Sequence, residues 1–316
     1  MRRFDRLLRP DRDLPNAARR AMGQFLDQVL ARSLKRVQKP SPAVPFQAPA
    51  RFSLVTVNFS TTYYLKLMLL TLCEQDDLSN LSRIIIVDNN SRDGGVEFLE
   101  KLAASIPRIH LLRNRFNCTH ANGLRKGIRQ IEHIERDLPE ESRSNVILVC
   151  DTDIVFRNPD TLKELASCFS DGETVFAGEL RHGLFPYPEA QASFFAVRRD
   201  CYARPDVEPI VHHGSPAYFM QRSLWQVNLK LFDFPSNHGG YILHRGRSGV
   251  AASKRYHAWG PYATTDNDDP HYMGVEGGEY IWNEIEDRFR DLLQPVREEA
   301  LLDHLRGYLG STGTDS

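Results

Sequence analysis

The chain has 316 residues, 41% hydrophobic and 26% charged, with a formal net charge of −1 at pH 7. Such a composition belongs to a soluble globular protein large enough for a sizeable core, and the near-neutral balance excludes bulk nucleic-acid binding, which needs a strong basic excess. No apolar run reaches bilayer thickness and no signal-peptide core opens the chain, while five scattered cysteines without a Cys-x-x-Cys pair fit reduced thiols in a cytoplasmic protein without structural zinc.

Residues 1–50 read as a basic helical extension followed by a Pro-rich linker. Arg2 to Arg12 is basic. Met22, Phe25, Leu26, Val29, Leu30 and Leu34 recur at helical spacing, with Arg19, Arg20, Arg32, Lys35 and Arg36 on the polar side. The apolar stripe is expected to pack on the body or on a second copy of the chain. The other reading is contact with the inner face of a membrane through residues 1–39. Pro40, Pro42, Pro45 and Pro49 mark the linker.

From residue 51 strands and helices alternate. Strands are predicted at 52–57, 84–87, 109–112 and 146–149, and helices at about 63–73, 96–104 and 118–135. This alternation implies a mainly parallel α/β sheet with ligands at the carboxyl ends of its strands. A helix at 160–168, strands at 175–178 and 194–197 and a helix at 216–224 follow. Residues 232–263 are crowded with Gly, His and aromatic side chains, as ligand-facing surfaces are, and two amphipathic helices fill 276–309. The expected division is 51–157 for a donor-binding half, 158–275 for an acceptor-binding half and 276–316 for C-terminal helices and a tail.

The chemistry centres on Asp151 and Asp153. The β-branched run 145–149 delivers two carboxylates at i and i+2, which point to the same side at the end of a strand. Carboxylates gathered there require a cation, and hard oxygen ligands suit Mg²⁺ or Mn²⁺.

Four segments in one order carry a resemblance: Val57-Asn58-Phe59, the run from Val87 through Asp88, Asn89, Asn90, Ser91, Arg92 and Asp93 to Gly94, Asn117 with Ala121-Asn122-Gly123, and Asp151-Thr152-Asp153. Together they resemble family 2 glycosyltransferases of the GT-A fold, over residues 51–200 and more loosely to 250. The resemblance implies a metal-dependent transfer of sugar from a nucleotide-diphosphate sugar to a carbohydrate, small-molecule or lipid-linked acceptor. It places Thr56, Asn58, Asp88, Asn90, Asn122, Asp151 and Thr152 at the donor nucleotide, and Asp151, Asp153 and His244 at Mn²⁺ or Mg²⁺, with the imidazole favouring Mn²⁺. Arg125 and Lys126 lie where they would approach phosphate or line a solvated helix face.

An inverting enzyme needs a carboxylate base, usually in an acidic pair where this chain has His212-His213-Gly214-Ser215. The replacements are Asp233, Glu208, Asp206, Glu179 and His213, with Asp233 preferred because it precedes the His/Gly-rich stretch. The missing pair also leaves a retaining course open, and a catalytically idle binding subunit is the alternative function. A sugar nucleotidyltransferase fits less well, since the first strand is followed by Asn58-Phe59-Ser60-Thr61-Thr62 without glycine. Trp225, Tyr241, Tyr256, His257, Trp259 and Tyr262 are candidates for stacking on acceptor sugars, and Asp266, Asp268, Asp269 and His271 form an acidic loop.

Overall fold

The computed structural model describes residues 16–37, 46, 49–116, 118–212, 215–256 and 268–310. Along the chain the elements are α1 (Asn16–Val37), β1 (Phe52–Asn58), α2 (Thr62–Leu72), β2 (Leu81–Asp88), α3 (Val96–Ser105), β3 (Ile109–Arg113), α4 (His120–Glu135) and β4 (Val146–Cys150). There follow β5 (Ile154–Phe156), α5 (Thr161–Ser167), β6 (Thr174–Arg181), β7 (Glu189–Arg198), α6 (Arg199–Tyr202), α7 (Tyr218–Gln226), β8 (Lys230–Asp233), β9 (Ile242–His244), α8 (Ser248–Arg255), α9 (Gly278–Phe289) and α10 (Glu298–Leu309).

One sheet runs β3-β2-β1-β4-β7-β6-β8, and β5 pairs with β9 in a second, two-stranded one. The pairs β1–β2, β2–β3, β1–β4 and β6–β8 are parallel, while β7 lies antiparallel to both β4 and β6. The sheet is therefore mainly parallel, as the alternation implied. Central strands bury both faces, and their side chains alternate between two cores. Leu54, Ile84, Ile86 and Leu148 join one core, which α2, α3, α9 and α10 cover with Leu65, Phe98, Trp282 and Leu301 among others. Val55, Ile85, Val87, Ile147 and Val149 join the other, under α4 and α7 with Leu124, Ile128, Met220 and Leu224. Helix α4 approaches β1 closely because Gly123 and Gly127 face it: a Cβ at Gly123 would stand 2.8 Å from Val57 Cγ1.

Helix α1 does not pack its apolar stripe on the body. Its polar side docks on the body. Asp27 is buried in a two-bond pair with Arg125 of α4 (2.7 and 3.0 Å) and accepts the backbone N–H of His212 at 2.6 Å. Arg32 pairs with Glu208 at 2.7 Å, and Lys35 donates to the carbonyls of Tyr202 and Val207. Met22, Phe25, Val29, Leu30 and Leu34 are exposed instead. A helix needs partners for its charged groups when they are buried, and the body offers Arg125, Glu208 and free carbonyls where it meets α1. Arg2–Arg12 and the prolines at 40, 42 and 45 lie outside the described residues. Among the described residues no helix is long and apolar enough to cross a membrane.

Candidate metal and donor site

Strand β4 is buried throughout and ends at Asp151, whose N–H donates to Ser193 O of β7 at 2.7 Å. The chain turns through Thr152 and Asp153 into β5. Strand β9 lies antiparallel to β5 with His244 opposite Ile154, and Arg245 N donates to Asp153 O at 2.9 Å. This two-stranded pairing, too short to read from three residues, brings the histidine to the carboxylates. Ligand atoms of Asp151, Asp153 and His244 all lie within 4.8 Å of one another. His244 Nε2 is 3.3 Å from Asp153 Oδ1 and 3.8 Å from Asp151 Oδ2, and Ser248 N at the start of α8 donates to Asp153 Oδ2 at 3.3 Å.

Burial pushes the Asp151 carboxyl above its ordinary range, against the pull of His120 and His244, and the Asp153 charge adds to the rise. Burial acts on Asp153 too, but His244 and the Ser248 N–H and hydroxyl hold that carboxyl well below the usual range. Burial disfavours a charged His244, yet the two carboxylates win and raise it. Two carboxylates facing one imidazole leave a negative excess in a buried place. Two hard oxygens and one borderline nitrogen converging there fit a divalent cation.

His120 escaped the sequence reading. Thr119 caps α4 by accepting Asn122 N at 3.2 Å, so the helix begins against Asp151, and His120 Nε2 stands 3.3 Å from Asp151 Oδ1. The only sequence signal was its place one residue after a capping threonine. His271 was read as part of an acidic loop; its ring meets the His244 ring edge to face at 5.8 Å. Gly246, at φ 76°, leaves the room that ring occupies.

On the donor side the expected residues cluster at the carboxyl ends of β1 and β2. Asn58 Nδ2 lies 3.1 Å from Asp88 Oδ1, 3.1 Å from Thr62 Oγ1 and 3.0 Å from Ser91 Oγ. The Ser91 hydroxyl donates to Asp88 Oδ1 and its N–H to Oδ2, at 3.2 Å. Asp93 accepts Thr62 N and Gly95 N. Asn90 turns the loop at φ 66°, a left-handed backbone that asparagine tolerates. Thr152 Oγ1 is 2.9 Å from Thr61 Oγ1, tying the carboxylate turn to the same loop. Thr56 and the Asn122 side chain differ from these: Thr56 is wholly buried, and Thr56 Oγ1 and Asn122 Oδ1 have no hydrogen-bond partner among the described residues. Arg125 is committed to Asp27, so it does not serve phosphate, and Lys126 donates to Asn114 Oδ1.

Asp233 is not brought to this cluster. Val149, Phe195, Gly178 and Asp233 form one lateral row across β4, β7, β6 and β8, so Asp233 lies three strand spacings, about 14 Å, from β4. Its Oδ1 accepts Leu180 N at 2.8 Å on the exposed edge. Glu208 and Asp206 are held by Arg32 and Arg204, and His213 lies outside the described residues. Glu179 follows Gly178 one strand nearer. It is paired with His238 Nδ1 and accepts Asn237 N at 2.5 Å, while Asn237 Oδ1 accepts His244 N at 2.9 Å. Burial opposes its charge, but the His238 ring and the Asn237 N–H keep its carboxyl below the ordinary value. A chain of hydrogen bonds therefore joins Glu179 to the His244 backbone.

Of the aromatic candidates, Trp225 donates to Pro188 O at 3.0 Å and Tyr241 packs on Phe234 at 4.6 Å, as core residues do. Tyr256 ends α8, and Asp268 pairs with Lys254 at 2.8 Å. His257, Trp259, Tyr262 and Asp266 lie outside the described residues.

A mainly parallel sheet with this strand order, a turned-round β7 and two carboxylates at the end of β4 defines a GT-A fold. The family model for glycosyl transferase family 2 matches residues 53–224, more than half of the chain, and the chain belongs to that family of glycosyltransferases. No curated protein matches it. Among solved structures, the mannosyltransferase PcManGT from Pyrobaculum calidifontis, in complex with GDP-Man and Mn²⁺, is 13% identical over 94% of this chain and 85% of its own, with a TM-score of 0.46. S. aureus TarS 1–349 in complex with UDP-GlcNAc is 13% identical over 82% of this chain and 88% of its own, at 0.45. Against the longer S. aureus TarS structure, at 13% identity and 0.40, the match takes in 55% of this chain and 33% of that one.

Proposed function

We propose that the chain transfers a sugar, with inversion, from a nucleotide-diphosphate sugar to an acceptor hydroxyl at a site holding Mn²⁺ or Mg²⁺. The observation that carries this reading is the convergence of Asp151, Asp153 and His244 at the end of β4. A divalent ion there would supply positive charge to the departing diphosphate. Asp151 and Asp153 would hold it by oxygen and His244 by nitrogen, a donor set that favours Mn²⁺. The nucleotide lies across the ends of β1 and β2. Asp88 Oδ2, which accepts Ser91 N, would also accept from base N–H or ribose hydroxyl, and Asn58, Asn90 and Thr152 shape the floor. Thr56 supports β1 from beneath, since burial keeps it from the ligand, and Asn122 offers its amide from the first turn of α4.

For the acceptor proton, the Glu179–His238 pair replaces Asp233. The half-buried carboxylate fixes the Nδ1–H tautomer of a ring that is 60% exposed, leaving Nε2 to accept the proton as the hydroxyl attacks the anomeric carbon. On this reading residues 51–157 serve the donor and 158–275 the acceptor, except that His244 reaches back to the metal site. Five unpaired cysteines suit a reducing, cytoplasmic setting.

The test is a thermal-shift panel of UDP, GDP, dTDP and CDP, each with Mn²⁺, Mg²⁺ or EDTA. A native-state ligand at a hundredfold excess over its Kd stabilises by about 2.7 kcal/mol. The expected result is a metal-dependent shift with one nucleotide, lost in Asp153→Ala. No shift with any nucleotide refutes donor binding and favours the idle-subunit alternative.

A further inference from the structure

The outer face of α1 has no partner among the described residues. Phe25 is 62% exposed, Met22 and Leu34 48%, Val29 45% and Leu30 41%. Met22, Phe25 and Val29 lie on the side of the helix opposite Asp27 and Ala31, which are buried against the body, and Leu30 and Leu34 carry the exposed arc round to the border beside Asp27. Ordinary amphipathic helices bury such a stripe and leave their charges in water. Here the relation is inverted, because Asp27, Arg32 and Lys35 are spent on docking.

Charge points to the occupant. Residues 1–39 hold eleven Lys and Arg against four Asp, whereas the whole chain has a net charge of −1. The segment is therefore strongly cationic on an otherwise acidic protein, and its stripe adds aromatic and aliphatic side chains of the kind that enter a lipid headgroup layer. Area argues against a second copy of the chain: the five side chains expose roughly 450 Å² together, well below the about 800 Å² per partner that a stable dimer buries. A bilayer has no such threshold, and one apolar contact plus a polybasic segment is the pair of signals that lasting surface attachment requires.

We propose that α1 is a membrane-surface anchor, lying between the catalytic body and an anionic bilayer, with Met22, Phe25, Val29, Leu30 and Leu34 entering the headgroup layer and the net positive charge of residues 1–39 favouring anionic lipid. The Asp27–Arg125 and Arg32–Glu208 pairs fasten the body to the anchor, so attachment does not require α1 to leave its seat.

The experiment is co-sedimentation of the full chain with vesicles of phosphatidylcholine alone or mixed with phosphatidylglycerol, over a salt series, beside light scattering without lipid. The protein should pellet with the anionic vesicles, more weakly as salt rises. Phe25→Glu with Val29→Glu should cut partitioning by about tenfold or more, and reversing Arg2, Arg3 and Arg6 to Glu should weaken it on anionic vesicles. Circular dichroism matching the parent chain establishes that each variant is folded. Failure to pellet with anionic vesicles overturns the proposal, as does equal pelleting of the Phe25/Val29 variant. A lipid-free dimer that this variant splits, without vesicle binding, assigns the stripe to a second copy instead.

Discussion

Replacing Asp27 by alanine isolates the contact that seats α1. The carboxylate makes two bonds to Arg125 and one to His212 N, and both paired side chains are only 9% exposed. Removing one member of a buried pair leaves the other charge uncompensated and typically costs about 3–5 kcal/mol. The lower end applies here. Arg125 keeps its bond to Ile210 O at 2.7 Å, and loss of the carboxylate at an outer helix admits water. The orphaned His212 N–H belongs to the same network, so its cost overlaps rather than adds. We therefore expect about 3 kcal/mol, a factor of roughly a hundred or more in the folding equilibrium. Urea unfolding of Asp27→Ala, Arg125→Ala and the double variant measures it. The double variant should lose clearly less than the two single losses together, because neither charge is then stranded. A loss below about 0.5 kcal/mol for Asp27→Ala at unchanged denaturant slope would refute the reasoning, since that is the range of ordinary surface changes.

Turnover, followed as nucleotide release from the donor whose nucleotide gives the shift, should fall by about 10²–10⁴ in Glu179→Gln and His238→Ala with the metal-dependent shift retained. Asp233→Asn should stay near normal; the reverse pattern returns the base to Asp233. Metal binding should weaken as pH falls. Against the effect of burial, the Asp153 and Asp151 carboxylates raise His244 above its ordinary value of about 6.5, so below that value a proton must leave before an ion can bind. Calorimetry in buffers of different ionisation enthalpy should show proton release near pH 6, and a pH-independent affinity from about pH 5 to 8 would contradict this. Gly127→Ala should destabilise by about 1–2 kcal/mol, because the new Cβ runs into Val55 Cγ1 and overpacking outweighs the helix-propensity gain of about 1 kcal/mol. A more stable variant in thermal unfolding would show that α4 can shift off β1.

The first half of the sheet was legible because its strands are buried on both faces and read as β-branched runs, and the carboxylates of Asp151 and Asp153 stand where such a run stops. Asn58, Asp88 and Ser91 were legible as a loop, though not as a network bound mainly to itself. The rest depended on distant pairing. Strand order across β4, β7, β6 and β8 decides that Glu179 lies nearer the site than Asp233, and no local pattern encodes that order. Periodicity revealed that α1 is two-faced but not which face docks; the burial of Asp27 follows from Arg125, almost a hundred residues away. His120 offered only its place after a capping threonine and His238 only its place in a Gly- and His-rich stretch, because an imidazole acquires its role from the carboxylate it meets.

The pairing of β5 with β9 separates what is recognisable from what is complete. The family match ends at residue 224, and His244 lies beyond it. A fragment cut at the edge of the match would keep both aspartates and lose the strand that faces them. Such a fragment could look whole to a sequence comparison while lacking one wall of its own metal pocket. On the proposed reading, ion binding would report that the chain has returned from its C-terminal side to close the site. It is a gauge of finished folding as well as of chemistry.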